Sequence, residues 1–559
     1  MALAQRQGVS EIVGRVLLAR GFDNDTAPGF LEPRLRDLLP DPSHLLDLDL
    51  AVERLVRAVR AGERIGIIGD YDVDGATSTA LMARWLRPLG IDATILIPDR
   101  LTEGYGASEE AFAKLAEAGC RLVLTLDNGT TAFSALAAAR DLGQEVIVVD
   151  HHAVEQELPT ALAVINPNRR DQESPLRHLA AVGVTFVLLV AANRELRRSG
   201  WTGPVPEIME LLDLVAFGTI CDVVPLEGIN RAFVRQGLKL AMRGGTQGLA
   251  ALSVSAGIGR IEDSAQFGFV LGPRINAAGR LGQSLLGAEL LTTDDPHRAE
   301  TIAKQLEVLN TTRQAIEREV LALAMAAVQP QLEADAALLV AAGRGWHVGV
   351  LGIVASRLVE RYGRPTFVIA LDGEVGKGSG RSVPGLDLGA LVIEARHAGH
   401  LTRSGGHAMA AGLTLDAAKL EEFQAFATAR GRADLGASGE DRGPVLLDGA
   451  MSVAGLTVGL AADLQRLAPF GPGNSEPRFC LTDASLVNVR EVGNGHVSCI
   501  VTGAGTGRAQ AIAFRARDRA LGRLLLESRG PVRLAGQVRL DRYRGEEKAS
   551  FRIDDAAPG

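Results

Sequence analysis

Three aspartates at alternate positions, Asp70, Asp72 and Asp74, lie in the stretch Gly69 to Gly75, directly after the apolar run Ile65–Ile68. Carboxylates this dense repel one another unless a cation sits among them, and all-oxygen donors suit Mg²⁺ or Mn²⁺. A solvated acidic turn and a calcium loop are the competing readings. The calcium loop would need a closing Glu near Met82 and a helix, not a strand, ahead of it. Three further acidic turns follow: Asp127-Asn128-Gly129 after Leu122–Leu126, Asp150-His151-His152 after Val146–Val149, and Asp222 at the end of a helical stretch starting near Glu207. Each alone has a plain explanation as a turn, a surface acid or a structural His pair. Together they supply more carboxylates than packing requires. Two cations about 3.5–4 Å apart, bridged by one carboxylate, would use them all.

Such a site needs elements that bring distant turns together. The runs Ile65–Ile68, Ala93–Ile97, Leu122–Leu126, Val146–Val149 and Leu162–Ile165 alternate with helical spacing over Thr77–Arg87 and Ser108–Ala118. Buried β-runs alternating with helices predict an α/β, doubly wound parallel sheet, and ligands collect outside the carboxyl ends of its strands. The acidic turns should therefore share one edge. We place this catalytic domain at 49–285, behind an N-terminal cap (1–48) expected to pack on it. Asp294 to Gln329 has few helix breakers and a charged face, which predicts a long linking helix within 286–333.

A second α/β lobe is expected over 334–436. There Gly345 to Gly352 leads into a helix over Ile353–Glu360, and Gly376 to Ser382 carries Ser379 and Arg381. Glycines at a helix entrance leave backbone N–H groups free to hold a phosphate. Tight turns account equally well for either loop alone. Short alternating strands over Pro477–Asp483, Val497–Thr502, Arg508–Phe514 and Val532–Leu540 predict a small OB-like β-barrel in 437–559. Between Gly505 and Arg552, eleven Arg and one Lys face five acids, with Phe514, Tyr543 and Phe551 among them. A basic face with interleaved aromatics suits single-stranded nucleic acid. Protein binding, with the aromatics in the core, is the rival account.

The totals narrow the class. A chain of 559 residues, 47% hydrophobic and 23% charged, is an ordinary multidomain globular protein. A net charge of -8 excludes a generally basic coat, so a polyanion must meet a local patch and metal. The apolar stretch Leu179–Ala192 is shorter than the roughly 20 residues that cross a bilayer, and predicts a buried helix. No signal-peptide plan is visible, and Cys120, Cys221, Cys480 and Cys499 form no metal spacing, as in a reducing compartment.

Asp70-Tyr71-Asp72-Val73-Asp74-Gly75, Leu126-Asp127-Asn128-Gly129, Asp150-His151-His152 and Asp222 resemble, in order, the four motifs of the DHH phosphoesterase superfamily. Gly405-Gly406-His407-Ala408-Met409-Ala410-Ala411-Gly412 resembles the glycine-rich signature of the DHH-associated domain. The segment Arg100–Gly106, the block Gly272-Pro273-Arg274-Ile275-Asn276-Ala277-Ala278-Gly279-Arg280-Leu281 and the C-terminal extension resemble its branch of single-strand-specific DNA exonucleases. The resemblance implies Asp70, Asp72, Asp74, Asp127, His151 and Asp222 as ligands of two Mn²⁺ or Mg²⁺ ions, with Asp127 as the bridge. It puts His152 against the scissile phosphate and Asp150 behind the histidines. The two glycine-rich loops together with His407 suggest a site for a terminal 5′ phosphate, with Arg100, Ser379 and Arg381 as candidates, and phosphate or DNA contacts are also expected of Tyr105, Arg274, Asn276 and Arg280.

The implied activity is 5′-to-3′ degradation of single-stranded DNA to mononucleotides in DNA repair and recombination. A cytoplasmic monomer, free of membrane and working with a single-strand-binding protein and a helicase, is expected. Cys221, where a small aliphatic residue is expected, is a departure with no catalytic consequence. A hydrolase of small phosphoesters or short oligonucleotides would share the same ligands, and a non-catalytic DNA-bound scaffold would have lost them.

Overall fold

A computed structural model describes residues 2–99, 106–154, 157–435, 444–493, 495–505, 507–543 and 546–559. Five short strands form the first sheet: β1 (Ile65–Ile68), β2 (Thr94–Leu96), β3 (Leu122–Leu126), β4 (Glu145–Val149) and β5 (Ala163–Ile165). All pair in parallel, in the order β2-β1-β3-β4-β5. β1 and β3 are buried at every position because helices cover both faces, which is why they read as unbroken apolar runs rather than alternating ones. The chain leaves β1 toward β2 and returns on the other side as β3. The carboxyl ends of β1 and β3 therefore flank the point where strand order reverses. Helix Ala181–Arg198 is buried along most of its length, as its apolar stretch predicts.

The linking helix runs from Pro296 to Glu333, 38 residues, or roughly 57 Å at 1.5 Å per residue. Its first half packs Ala299, Ile302, Ala303 and Leu306 into the first lobe, and its second half packs Val320, Ala324 and Val328 under the second. Between the two, Arg313 donates to Glu317 (2.6 Å) and Asn310 (2.5 Å), so the buried polar middle of the helix is satisfied.

The second lobe is a mixed sheet of β6 (Leu339–Arg344), β7 (Thr366–Asp372), β8 (Val375–Arg381), β9 (Arg403–His407) and β10 (Ala410–Asp416), ordered β6-β7-β8-β10-β9. The stretch Gly376 to Arg381, read from its glycines as a phosphate-holding loop, is instead strand β8. Added Cβ atoms at Gly376, Gly378 and Gly380 would crowd side chains of the lobe's core, including Leu415, Leu413 and Phe367, so these glycines serve packing.

The third domain contains β11 (Gly449–Met451), β12 (Phe479–Val492), β13 (His496–Thr502), β14 (Arg508–Ala513), β15 (Val532–Tyr543) and β16 (Glu546–Pro558). The long β16, not foreseen from the sequence, pairs with β14 and β15, while β12 pairs with both β13 and β15. Phe551 lies fully inside this core and Phe514 is outside, so one of the predicted surface aromatics is a packing residue. Three of the eleven arginines are neutralised by acids outside the counted window: Arg517 by Glu491, Arg539 by Glu476 and Arg552 by Asp554.

The N-terminal cap is divided between two partners, not packed on the next domain alone. Leu3, Val13, Val16, Leu17, Ala27 and Leu31 share one core with Leu460, Leu464 and Phe479 of the third domain. Leu35, Leu38, Leu39, Leu45 and Leu48 join the first lobe. Periodicity shows that a helix has a face to bury, but not that the covering surface lies about 450 residues downstream.

Candidate metal centre

Every acid of interest follows a strand or ends a helix at one edge. Asp70 lies two residues past β1, Asp127 directly past β3 and Asp150 directly past β4. Asp72 caps helix Val73–Leu86 by accepting from Gly75 N (3.0 Å), a contact of roughly 1 kcal/mol. Gly75 is required there: a Cβ would stand 2.5–2.6 Å from Asp70 backbone and side-chain atoms. Asp74, on the first turn, receives Ala181 N (2.6 Å) and Val182 N (2.9 Å), the free amides at the start of helix Ala181–Arg198. Asp127 adopts a left-handed conformation (φ 65°), and Asn128 donates to Ile68 O (3.2 Å) and Leu126 O (2.9 Å), tying the ends of β1 and β3 together. Asp222 caps the carboxyl end of helix Leu212–Cys221.

These side chains converge. His151 Nε2 lies 3.4 Å from Asp127 Oδ1 and 3.8 Å from Asp74 Oδ2, while its Nδ1 lies 3.7 Å from Asp222 Oδ2. Three overlapping groups have donor atoms within 4.8 Å of one another: Asp70, Asp72 and Asp127; Asp127, His151 and His152; Asp74, His151 and Asp222. Asp127 and His151 each belong to two groups, the arrangement two adjacent cations sharing a carboxylate would occupy.

The electrostatics call for positive charge. Burial, then the nearby charge of Asp72, pushes the Asp74 carboxyl up to about 7 despite its two amides. Burial, then Asp74, Asp72, Asp70 and Asp150, drives Asp127 well above the usual carboxylate range. Asp222 is pushed up to about 9 by burial, then by Asp74 and Asp72. His151 Nε2 and Asp222 Oδ2 are buried with no hydrogen bond. Acids that resist ionisation and a neutral imidazole, held near 4 by burial and by His152, are a donor set that suits a divalent cation. The donors fit Mn²⁺ or Mg²⁺: oxygens with one imidazole and no thiolate.

His152 differs from its neighbour. Its Nδ1 lies 2.7 Å from Asp150 Oδ1, and Asp150 also accepts from Thr130 N, His151 N and His152 N. Burial disfavours the imidazolium, but the Asp150 hydrogen bond and charge outweigh it and raise His152 to about 9. Burial likewise would raise Asp150, yet its bond to His152 holds it well below the usual range. His152, with its side chain 46% exposed, thus presents a protonated ring toward the open side of the cluster. The sequence reading missed the supports behind the pair: Asn166 donates to His152 O (2.9 Å) and Thr130 Oγ1 (3.1 Å), and Asn168 to His151 O (2.6 Å). Their signal was available, since Asn166-Pro167-Asn168 follows β5 at the same edge.

The other candidate residues are less uniform. Gly279 packs on Tyr71, and Arg280 donates to Gly349 O (2.9 Å), joining the acidic turn to the second lobe. Gly352 sits against Ser379 Oγ and the Arg381 guanidinium, so the two glycine-rich segments read separately from the sequence meet there. His407 is on β9, accepting from Met409 N (3.2 Å) at its Nδ1. Asn276 Oδ1 is buried without a hydrogen bond. Arg274 is directed elsewhere, to Glu307 of the linking helix (2.5 Å) and Val270 O (2.6 Å). Arg100 and Tyr105 lie outside the described residues.

Known proteins share this arrangement. Residues 64–219 match the DHH family, N-terminal domain; 335–431 match the DHHA1 domain; 447–555 match the RecJ OB domain. The chain is 38% identical to a single-stranded-DNA-specific exonuclease RecJ of Salmonella typhimurium, covering 94% of this chain and 93% of that protein. It is 35% identical to the Bacillus subtilis protein of the same name, over 100% of this chain and 69% of the other. A crystal structure of RecJ in complex with Mn²⁺ from Thermus thermophilus superposes with a TM-score of 0.80 at 31% identity, covering 99% of this chain and 77% of that one. The corresponding Mg²⁺ complex gives 0.74 at 30% identity, with 99% and 76% covered. Three domains in one order, and this identity over nearly the full length, establish that the chain belongs to the RecJ family of the DHH superfamily.

Proposed function

We propose that this protein is a metal-dependent exonuclease that removes mononucleotides from the 5′ end of single-stranded DNA, in DNA repair and recombination. The observation that carries this is the cluster of Asp70, Asp72, Asp74, Asp127, His151 and Asp222 at one sheet edge, its donors within 4.8 Å in overlapping groups. Two Mn²⁺ or Mg²⁺ ions held by these residues would supply Lewis acidity at the scissile phosphate and a water of lowered pKa, with Asp127 as the shared ligand. His152, protonated and oriented by Asp150, donates to a phosphoryl oxygen as negative charge grows there. Asn166 and Asn168 hold the backbone of the pair so that this donor is in place before the strand arrives.

Ser379, Arg381 and His407 of the second lobe, with Arg280 and Asn276 of the first, are our candidates for the terminal 5′ phosphate. Arg100 and Tyr105 join them on the sequence reading, and Arg274 is left to brace the linking helix. A cavity of about 620 Å³ separates Cys221, Val223 and Phe269 of the first lobe from Phe470, Arg539 and Arg552 of the third domain. It lies beside the Asp222 turn, at Cys221 and Val223, and we take it as the path of a strand held by the third domain. Among the described residues no helix is long and apolar enough to cross a membrane. A monomer working in the cytoplasm, with a single-strand-binding protein and a helicase to supply strands, completes the proposal.

The test is digestion of end-labelled strands with Mn²⁺. Mononucleotides should leave the 5′ end of a long single strand, faster from a 5′ phosphate than from a 5′ hydroxyl, and a blunt duplex should resist. Preferential cleavage of dinucleotides over long strands would favour the small-substrate reading. Inert strands at every metal concentration would leave a scaffold.

A further inference from the structure

The turn that carries Asp222 is buttressed from outside its own lobe. Val223, directly after Asp222, is a β-branched residue in the left-handed region (φ 64°), a conformation that surrounding structure must enforce. Three residues on, Leu226 N donates to Pro472 O (2.7 Å) of the third domain. Gly471 lies against Leu226, and Gly473 against Pro225 and Glu227, close enough that a Cβ on either would collide. Asn230 donates both to Pro225 O (3.0 Å) and to His178 O (2.5 Å), just ahead of the helix whose first amides hold Asp74.

The supporting knuckle, residues 466–475, is held by several side chains: Asn474 donates to Leu467 O (2.9 Å) and Pro469 O (2.7 Å), Arg235 to Arg466 O and Ala468 O (3.3 Å each), and Arg231, the most deeply buried of these arginines, to three carbonyls. Arg231, only 1% exposed, donates to Leu467 O (2.9 Å), Ala468 O (2.8 Å), Pro469 O (3.4 Å) and Phe30 O (2.8 Å), and its guanidinium stacks 3.7 Å from the Phe30 ring centre. These partners are carbonyls and a ring, from the cap and the third domain together. Arg20 completes the clamp at Asn474 (2.7 Å) and Ser475 O (2.8 Å). A rigid fork of donors at the meeting of three regions is a device that lysine could not reproduce.

We infer that Arg231 is a positioning residue for the metal centre: by holding the 466–475 knuckle, it makes docking of the third domain set the geometry of Asp222. The third domain then contributes to cation binding through the Asp222 turn, even with no DNA present. This rests on the reading of Asp222 as a ligand.

Isothermal titration of Mn²⁺ into the full metal-free chain, without DNA, compares the unaltered protein with Arg231→Met, Asp222→Asn and the double variant. Arg231→Met should weaken Mn²⁺ binding about tenfold, the lower end of what loss of a ligand's outer support produces. In the Asp222→Asn background the same change should have no further effect, because both act through one carboxylate. Arg231→Lys should restore only part of the loss. Should Arg231→Met fail to fold, Gly471→Ala, which places a Cβ 2.8 Å from Leu226 Cδ1, shifts the turn more gently and should weaken binding in the same direction. Unchanged Mn²⁺ affinity in a folded Arg231→Met protein, or losses that simply add in the double variant, overturns the coupling. Unchanged affinity in Asp222→Asn alone removes the ligand assignment beneath it, a separate failure from that of the coupling.

Discussion

Helix Leu212–Cys221 carries an acid near each end, Asp213 buried and Asp222 half-buried, and the two are opposites. Asp213, at its start, accepts Leu214 N (2.9 Å) and, from the start of helix Gln247–Ser255, Thr246 N (2.5 Å), so its oxygens are satisfied by amides at two helix N-termini. Asp222, at its finish, sits where the dipole is negative, faces His151 at 3.7 Å and leaves Oδ2 without a hydrogen bond. Burial pushes both carboxyls up. The difference is whether the protein itself supplies compensation. A buried acid that the fold satisfies is structural, whereas one that the fold aims at other acids requires a cation from outside.

Substitution of the cluster should break this contrast hardest. Asp127→Asn or Asp74→Asn should lower kcat on single-stranded DNA by about a thousandfold, the scale of removing a preorganised group that stabilises charge. The measurement is steady-state digestion at saturating Mn²⁺, with folding checked by circular dichroism. Full activity in either variant would make the cluster a structural feature like Asp213.

Next in size is the pH dependence of the metal-free chain. Asp74 and Asp222 have folded pKa values near 7 and 9, above the ordinary carboxylate value. A raised acid stabilises the fold fully below its unfolded pKa and loses that contribution as pH rises through the folded value. The Tm without metal should therefore fall from about pH 5 to about pH 9. Added Mn²⁺ should raise it by an increment that grows over the same range, because the cation binds the ionised form. A metal effect independent of pH would mean that the acids are not what the ion meets.

The first lobe was the most legible part of the chain, because both-face burial wrote β1, β3 and β4 as apolar runs and every candidate ligand except Asp222 lies in the turn or first helical turn after one of those runs. What the sequence hid depended on distance or on context. The cap's partner lies about 450 residues away, and Arg231 looks like any helix arginine until the carbonyls of 467–469 close around it. Gly376–Arg381 shows the converse failure, since glycines kept small for core packing in β8 carry the same letters as those of a phosphate loop. The basic count around Arg517, Arg539 and Arg552 overstated the free charge because their counter-charges, Glu491, Glu476 and Asp554, fall outside the window. Asn166 and Asn168 were missed although their place after β5 marked them, because side-chain amides that hold a backbone bear no catalytic signature, and Thr130 was missed because its contact with Asp150 is made by its backbone N.

The same contrast predicts a modest effect at the satisfied end of the helix. Asp213→Asn places an NH₂ group against one of two backbone N–H donors, leaving a buried polar clash that costs about 1–3 kcal/mol. Scanning calorimetry should show a Tm lower by a few degrees, while kcat of the folded protein and its Mn²⁺ affinity stay unchanged. A loss of Mn²⁺ binding would show that the two ends of the helix are not independent.

The smallest effect is spectroscopic and separates the two histidines. In the metal-free chain His152 should titrate near 9 and His151 near 4, as followed by NMR of labelled imidazoles. Between about pH 5 and 8 one ring is then charged and the other neutral, with a lone pair ready for a cation. A raised histidine stabilises the fold below its unfolded value and loses that contribution as pH climbs through about 9. A depressed one contributes above its unfolded value and loses it as pH falls through about 4. Mg²⁺ should abolish the His151 titration by competing for its ring nitrogen, yet leave the Asp150–His152 hydrogen bond in place. Identical titrations near 6.5 for both rings would remove the division of labour between them, since neither Asp150 nor the buried acids would then be distinguishing one ring from the other.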